Sequence, residues 1–205
     1  MFIFKMLVSF LIGSFPTGLL VARIFKTDIR KGGSGNIGAT NVWRVVGRIP
    51  GLFVLAIDIL KGYFVVALLV PWMAVPLNIE VPEQRLILGI AVIIGHIFSV
   101  FLKFKGGKGV ATLAGVLFAL DPKIFFLCLL TWMIVFVLCR YVSLASICAV
   151  VSLPVFLVIF SYSLTFIVFG VVVALTVTFK HLANIRRLVA GEESKFLLRK
   201  QAIKI

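Results

Sequence analysis

The sequence predicts an all-α integral membrane protein: a single domain, residues 1–205, that forms a bundle of about seven transmembrane helices. Hydrophobic residues make up 62% of the chain, and the mean hydropathy of +1.21 leaves too little polar sequence to cover a soluble domain of this size. The apolar residues form continuous runs and do not alternate, which favours helices over a membrane β-barrel. Charged residues are confined to short segments between the runs.

The apolar runs have the lengths of membrane spans, for which about 20 residues are needed. We predict helices at about 2–25, 51–75, 85–102, 107–120, 122–139, 144–160 and 163–180. Asp121-Pro122 separates the fourth helix from the fifth, because Asp is a favoured N-cap and proline is favoured at the first helical position. The fourth helix is short, so a re-entrant hairpin with five spans in total is the alternative.

The connections between the runs alternate in charge along the chain. The basic segments are the loops at 26–50 and 103–109, the corner at Arg140 and the tail at 181–205, and the other connections are acidic or neutral. By the positive-inside rule, we predict the N-terminus outside, and both loops and the C-terminus in the cytoplasm. Apolar residues at helical spacing predict that the tail lies along the membrane interface. The formal net charge of +14 therefore indicates topology and contact with anionic lipid, and no nucleic acid partner.

The segment from Gly33 to Arg44 is the most informative polar stretch. Its glycines permit positive φ, so that successive N–H groups can turn towards an anion, and Arg44 can add a bidentate phosphate contact. Its G-x-G-x-x-G spacing lacks the βαβ unit that a dinucleotide site requires. The alternative is a flexible polar loop in which Arg44 only sets topology. The candidate phosphate-binding residues here are Gly33, Ser34, Gly35, Asn36, Thr40, Asn41 and Arg44.

Two more polar segments are predicted on the same membrane face. The first opens the fourth helix, where free N–H groups and the helix dipole favour an anion. Its candidates are Lys105, Gly106, Gly107 and Lys108. In the second, His181 and Asn184 share a helix face, and His181 could act as a general base. The alternatives are an ordinary glycine turn with topological lysines and a histidine that only lies at the membrane interface.

Other polar residues in the apolar runs have structural explanations beside functional ones. Asp58 and Lys61, spaced i, i+3, are interpreted as a structural ion pair, with support of the site as the alternative. His96 is interpreted as a buried histidine bonded to the backbone, with a catalytic role as the alternative. Ser143 either caps a helix or donates to a phosphate.

The sequence contains neither a recognisable metal site nor an activated nucleophile. It has no H-x-x-x-x-D dyad, no D-x-x-D-G and no G-x-S-x-G. The spacings of Cys128, Cys139 and Cys148 match no metal motif, so they are interpreted as buried thiols. We therefore predict no metal and no cofactor.

Together these residues resemble the bacterial acyl-phosphate:glycerol-3-phosphate acyltransferases, a family of small integral membrane enzymes. The resemblance extends from Gly13 to Glu193 and is most specific in the loops from Gly33 to Arg44 and from Phe104 to Thr112. It implies transfer of a fatty acyl group from acyl phosphate to the 1-hydroxyl of glycerol 3-phosphate. The products would be lysophosphatidic acid and inorganic phosphate, in the first step of phospholipid synthesis.

The resemblance also implies the surroundings of the enzyme. The partners would be the two substrates and membrane lipid, with no obligate protein partner. The location would be the inner membrane of a bacterial cell, with the active site on the cytoplasmic face.

The resemblance implies roles for individual residues. Ser34, Arg44 and Lys108 match positions tied to catalysis or phosphate binding, and Ser143 would be a further phosphate donor. Gly106 and Gly107 belong to the loop that the family uses for glycerol 3-phosphate.

His181 and Asn184 match the third motif of the family, and Glu193 matches its structural end. The chain departs from the family at Ser99, where proline is common, and at Leu182 and Ala183, where charged or polar residues are common.

Two other functions are compatible with a basic membrane face. A transporter of an anionic phosphate compound is disfavoured, because the sequence has no internal repeat and its polar segments share one face. A purely structural membrane protein is the third possibility. For the acyltransferase, the sequence leaves two candidates for the base: His181 and an oxygen of the acyl phosphate.

Overall fold

The computed structural model describes residues 2–69 and 81–196, and within these ranges the chain is helical without any strand. The α-helices are α1 (Phe2–Ser14), α2 (Thr17–Ile24), α3 (Ala39–Val45), α4 (Arg48–Phe64), α5 (Val81–Ile97), α6 (Val110–Leu120), α7 (Pro122–Cys139), α8 (Val142–Ile159), α9 (Leu164–Lys180) and α10 (Leu182–Val189). Two 3-10 turns, Ile29–Lys31 and Val100–Leu102, and a π-helical turn, Val65–Leu69, complete the described elements.

The described helices confirm an all-α membrane bundle but do not give the predicted count of seven spans. Five stretches are long and apolar enough to cross a bilayer: Phe2–Ile24, Arg48–Leu69, Val81–Leu102, Pro122–Cys139 and Val142–Ile159. The pair α9 and α10, bent by 60°, forms a sixth if it is counted as one span. At 11 residues, α6 is only about 16 Å long, roughly half of what a spanning helix needs.

Most predicted helix boundaries lie within a few residues of the observed ones, and the first helix is the main correction. It is broken into α1 and α2 at Phe15-Pro16, because proline has no N–H to donate and disfavours a helical residue before it. Ser99 Oγ donates to the backbone oxygen of Ser14 at the end of α1, over 2.5 Å. A proline at position 99, as is common in the family, has no hydroxyl for this bond.

One further element differs from the prediction, and two predicted boundaries cannot be compared with the structure. The short helix α3 lies inside the segment predicted as a loop at 26–50. The predicted end of the second helix at 75 and the end of the tail after 196 lie outside the described residues. Asp121 is the N-cap of α7 as predicted, and its side chain accepts from the N–H groups of Lys123 and Ile124 at 2.8 and 3.2 Å.

Glycines bring the helices of the bundle close together. Helix α1 packs along α5, α4 along α6, α7 against α8 and α8 against α9. A Cβ on Gly115 of α6 would lie 1.9 Å from the backbone oxygen of Ile59 in α4, and one on Gly62 would lie 2.1 Å from that of Thr112. Such small residues let membrane helices pack backbone to backbone, and here they fix the position of α6, which follows a polar loop.

Buried and exposed apolar residues separate an internal core from a lipid-facing surface. The core includes Leu88, Val116, Ile124, Leu153 and Val177, all at or below 1% exposure. Large apolar side chains on the outside, such as Phe53, Leu138 and Leu175, are more than half exposed. This arrangement is expected where lipid replaces water as the solvent.

Candidate functional site

Three parts of the chain that are distant in sequence meet around the carboxylate of Glu193. Glu193 Oε1 accepts from Ser143 Oγ at 2.6 Å and from Asn184 Nδ2 at 2.7 Å. Glu193 Oε2 accepts from Arg187 Nε at 2.7 Å. Asn184 in turn accepts through Oδ1 from Lys108 Nζ at 2.5 Å. The loop before α6, the helices α8 and α10 and the segment after α10 are thereby joined in one polar network.

Arg44 adds a third cation to this network. It lies near the end of α3, and its Nη2 donates to the backbone oxygen of Ser194 at 3.0 Å. Its guanidinium is close enough to Glu193 and Arg187 to interact with both charges. We call the group formed by Arg44, Lys108, Arg187 and Glu193 the basic cluster. Because three positive charges surround one carboxylate, the basic cluster carries an excess of positive charge that favours a bound anion.

Burial changes the protonation of the basic cluster. Desolvation lowers the pKa of Lys108 to about 8; Glu193 opposes this shift, and the charges of Arg187 and Arg44 reinforce it. Burial alone would raise the pKa of Glu193, but hydrogen bonds from Ser143, Asn184 and Arg187 outweigh it and lower that pKa. At neutral pH, Glu193 is therefore ionised and Lys108 is mostly protonated.

The loop before α6 is held in place by its glycines. The N–H groups of Gly106 and Gly107 donate to the backbone oxygens of Ile97 and His96 at 3.1 and 3.0 Å. A Cβ on Gly107 would lie 2.1 Å from His96 Nε2, so only glycine fits there. These two N–H groups are thus used within the protein, and the first N–H groups of α6 remain for an anion beside Lys108.

A buried polar network contacts this loop through His96 and supports it. Lys61 Nζ lies 2.8 Å from Asp58 Oδ1 and 2.8 Å from His96 Nδ1. Thr17 Oγ1 also donates to Asp58 Oδ1, at 3.1 Å. The Asp58–Lys61 ion pair is thus present as predicted, and it links α2, α4 and α5. His96 contacts this pair and Gly107, which is the arrangement of a residue that positions the loop.

The loop at 33–44 is organised by Asn41, which is 2% exposed. Its Oδ1 accepts from the N–H of Ser34 at 2.8 Å. Its Nδ2 donates to the backbone oxygens of Ile29, Gly32 and Asn36 at 3.1, 3.1 and 2.8 Å. Both Oδ1 and Nδ2 of Asn41 therefore form hydrogen bonds within the loop. Asn41 was predicted to bind substrate, and in the structure its side chain holds the loop together.

Replacing Asn41 by leucine is expected to destabilise the protein, because three backbone oxygens and one N–H lose their partner. We expect the free energy of unfolding to fall by about 2–3 kcal/mol, measured by thermal unfolding in detergent. Thr27→Val, which removes one exposed hydrogen bond in the same segment, is the control and should unfold like the wild type. An unchanged unfolding temperature together with a raised KM would instead make Asn41 a substrate contact.

The glycines of this loop adopt the backbone conformation that the sequence suggested at two positions. Gly33 and Gly35 have φ of 57° and 69°, which other residues adopt only at a cost. Asn36 Oδ1 accepts from the N–H of Gly38 at 2.8 Å. Ser34 is exposed at the surface of the loop, with its N–H already donated to Asn41.

His181 lies at the bend between α9 and α10. It is 2% exposed, and its Nδ1 is 2.8 Å from the backbone oxygen of Val177. Because a carbonyl only accepts, Nδ1 carries the proton, and Nε2 is left as the nitrogen that can receive one; this tautomer is inferred from the hydrogen bond. His181 is also close enough to Lys108 and Glu193 to interact with their charges.

The structure brings together some of the predicted site residues and leaves others apart. Arg44, Lys108, Ser143, Asn184 and Glu193 are connected by hydrogen bonds or charge interactions. Within residues 2–69 and 81–196, no hydrogen bond or ion pair joins Ser34, Thr40 or Lys105 to the basic cluster.

The sequence prediction missed Arg187 as a site residue. Arg187 is spaced i, i+3 from Asn184 on α10, so the helix-face argument used for His181 and Asn184 could have identified it.

The all-α membrane bundle and the basic cluster define an integral membrane protein in which three cations surround one carboxylate. A family model described as glycerol-3-phosphate acyltransferase matches residues 3–191. The glycerol-3-phosphate acyltransferase of Desulforamulus reducens is 44% identical over 189 residues, 91% of each chain. That of Aquifex aeolicus is 37% identical over 195 residues, 95% of this chain and 98% of the relative.

Solved structures agree with these relatives. PlsY (YgiH), described as an integral membrane glycerol 3-phosphate acyltransferase, is 36% identical to this chain. Its glycerol 3-phosphate form has a TM-score of 0.87 and covers 96% of each chain. Its lysophosphatidic acid form has a TM-score of 0.84 and covers 96% of this chain and 95% of that one. The chain belongs to the glycerol-3-phosphate acyltransferase family and is a multi-pass membrane acyltransferase.

Proposed function

We propose that this enzyme transfers a fatty acyl group from acyl phosphate to the 1-hydroxyl of glycerol 3-phosphate. The products are lysophosphatidic acid and inorganic phosphate, in the first step of phospholipid synthesis. The observation that carries the proposal is the basic cluster, in which Arg44, Lys108 and Arg187 surround the single carboxylate of Glu193. Two phosphate groups that must approach each other repel, and an excess of fixed positive charge offsets that repulsion.

The chemistry needs positioning and charge stabilisation more than a protein nucleophile. The 1-hydroxyl oxygen attacks the acyl carbonyl, the carbonyl–phosphate bond breaks, and the phosphate leaves with the bonding electrons. Lys108 and Arg44 stabilise the charge that develops on the phosphate. Asn184 orients Lys108. Ser143 becomes a further donor to the phosphate when its single hydroxyl hydrogen turns from Glu193 to the phosphate.

The hydroxyl proton has two candidate acceptors. One is Nε2 of His181, because Nδ1 is bonded to the backbone oxygen of Val177 and Nε2 is left as the nitrogen that can receive a proton. The other is an oxygen of the acyl phosphate, which leaves as phosphate and can keep the proton. In both cases the proton ends on the phosphate or returns to solvent, and no cofactor is required.

An apolar groove next to Lys108 supports a fatty acyl substrate. It begins at Val110, two residues after Lys108, and continues along Leu113 and Leu117 of α6. Cys128 and Trp132 of α7 line the other side. The lining of this groove is apolar apart from the polar atoms of Cys128 and Trp132, and such a lining accommodates an acyl chain whose phosphate lies at the basic cluster.

We propose that the basic cluster faces the cytoplasm and that the enzyme lies in the inner membrane of a bacterial cell. The four basic segments of the sequence contribute the residues around Glu193, and the positive-inside rule assigns such segments to the cytoplasm. The N-terminus would then lie outside. Glycerol 3-phosphate, a soluble anion, would reach the site from the cytoplasm.

The test compares acyl donors with purified protein. We expect release of inorganic phosphate and formation of lysophosphatidic acid from palmitoyl phosphate plus glycerol 3-phosphate, and no product with palmitoyl-CoA or palmitoyl-acyl carrier protein. Omitting glycerol 3-phosphate controls for simple hydrolysis of the donor. Product formation only with one of the other two donors would contradict the acyl phosphate assignment. Flux of labelled glycerol 3-phosphate into proteoliposomes without any donor would favour a transporter instead.

A further inference from the structure

The segment after α10 contacts the basic cluster through Glu193 and Ser194. We call residues 191–196 the C-terminal strap. It starts at Gly191, which has a φ of 71°, and Glu192 N–H donates back to the oxygen of Arg187 at 2.7 Å. The family model ends at residue 191, so the strap follows directly after the segment that defines the family match.

The strap contributes to the basic cluster at two points. The Glu193 side chain, 5% exposed, binds Ser143, Asn184 and Arg187. The backbone oxygen of Ser194 accepts the hydrogen bond from Arg44. Arg44 otherwise lies exposed at the end of α3, a helix of only seven residues. The orientation of the Arg44 guanidinium therefore depends on where the strap holds the Ser194 oxygen.

Phe196 holds the strap at its far end. Its ring lies 5.2 Å from the ring of Trp43 in α3 and 5.7 Å from that of Phe136 in α7. Its N–H donates to the backbone oxygen of Arg140 at 2.8 Å. Aromatic pairs at these distances contribute beyond the area they bury. Phe196 thus connects the strap to the helix that carries Arg44 and to the end of α7.

We propose that Phe196 is a positioning residue for acyl transfer. Its ring fixes the strap against Trp43, so that the Ser194 oxygen holds Arg44 in the orientation that binds a substrate phosphate. The proposal rests on the proposed function of Arg44 in phosphate binding. Phe196 contacts no substrate in this account and acts only through Arg44.

Steady-state kinetics with both substrates tests this positioning role. Phe196→Ala is expected to raise the same KM that Arg44→Lys raises, by about 10-fold or more, because small displacements of a binding group have effects of this size. Phe196→Tyr keeps the ring and should be close to wild type. In the double variant, Phe196→Ala should add little to Arg44→Lys, since coupled residues are not additive. Phe179→Ala removes an exposed ring elsewhere and is the matched control.

Other outcomes overturn the proposal. Unchanged KM values in Phe196→Ala would contradict it. So would a lower unfolding temperature in Phe196→Ala together with a loss of kcat/KM that adds fully to the loss caused by Arg44→Lys in the double variant. Calorimetric binding of glycerol 3-phosphate and of palmitoyl phosphate, measured separately, distinguishes this failure from failure of the proposed function. If the wild type binds both compounds but does not transfer the acyl group, the proposed reaction is contradicted. Weaker binding of either compound by Phe196→Ala than by the wild type would still support the role of Phe196.

Discussion

Replacing Lys108 by methionine is expected to lower kcat/KM for acyl transfer by about 10²–10³-fold, the usual effect of removing one charged donor from a developing negative charge. The side chain keeps its length but loses the ammonium group that donates to Asn184. Thermal stability should fall only modestly. Asn184 Oδ1 loses its donor, but the cost of keeping the Lys108 charge partly buried is removed as well. Activity is measured as phosphate release from palmitoyl phosphate, with Lys103→Met, an exposed lysine of the same loop, as the control.

The pH dependence of kcat/KM in the wild type and in Lys108→Arg gives a sharper test of the role of Lys108. Because the pKa of Lys108 is lowered to about 8, the ammonium form is present below that pH and is lost above it. For wild type, kcat/KM should therefore fall about tenfold per pH unit above pH 8, since this parameter reports the free enzyme. Lys108→Arg stays protonated throughout this range and should lose the alkaline decline. A decline at the same pH in Lys108→Arg would assign it to another group.

Replacing Arg44 by alanine is expected to have the second large effect, a loss of about 10²-fold or more in kcat/KM. The variant removes one charge of the basic cluster and, with it, the phosphate contact that we propose for Arg44. Arg44→Lys should recover only part of the activity, since an ammonium group cannot reproduce the planar guanidinium contact. Arg48→Ala is the matched control, as Arg48 is an exposed arginine at the start of α4.

The kinetic pattern separates a site residue from a topological charge. If Arg44 only sets membrane orientation, Arg44→Ala and Arg48→Ala should behave alike, and purified Arg44→Ala should keep the activity of wild type. If Arg44 instead only stabilises the fold, Arg44→Ala should have a lower unfolding temperature than Arg48→Ala. Equal unfolding temperatures for the two variants, measured in the same detergent, would show that the difference in rate arises at the site.

Several features of the protein followed from local sequence signals. Hydropathy predicted the positions of most helices. The N-cap at Asp121 and the Asp58–Lys61 ion pair, predicted from i, i+3 spacing, are confirmed. These signals act within one helix or at one helix end, where a few neighbouring residues determine the outcome. The break at Pro16 was also encoded locally, but the apolar run across it suggested one continuous helix.

The residues of the basic cluster could be proposed from the sequence, but not their partners. Charge patterns placed Arg44, Lys108 and Asn184 on one face, and the family resemblance implied their roles. The sequence could not show that the Asn41 amide is used inside its loop. It also could not indicate Phe196, whose ring contacts side chains from helices far away in the chain.

By itself, the sequence determined an all-α membrane bundle with basic segments on one face, because hydropathy, capping and charge are properties of consecutive residues. Tertiary structure decided which of those residues meet. Arg44 and Ser194 lie 150 positions apart, and only the packing of α3, α10 and the loop before α6 brings three cations around one carboxylate. Contacts between residues so far apart depend on how whole helices pack against each other, and a local sequence pattern does not specify that packing.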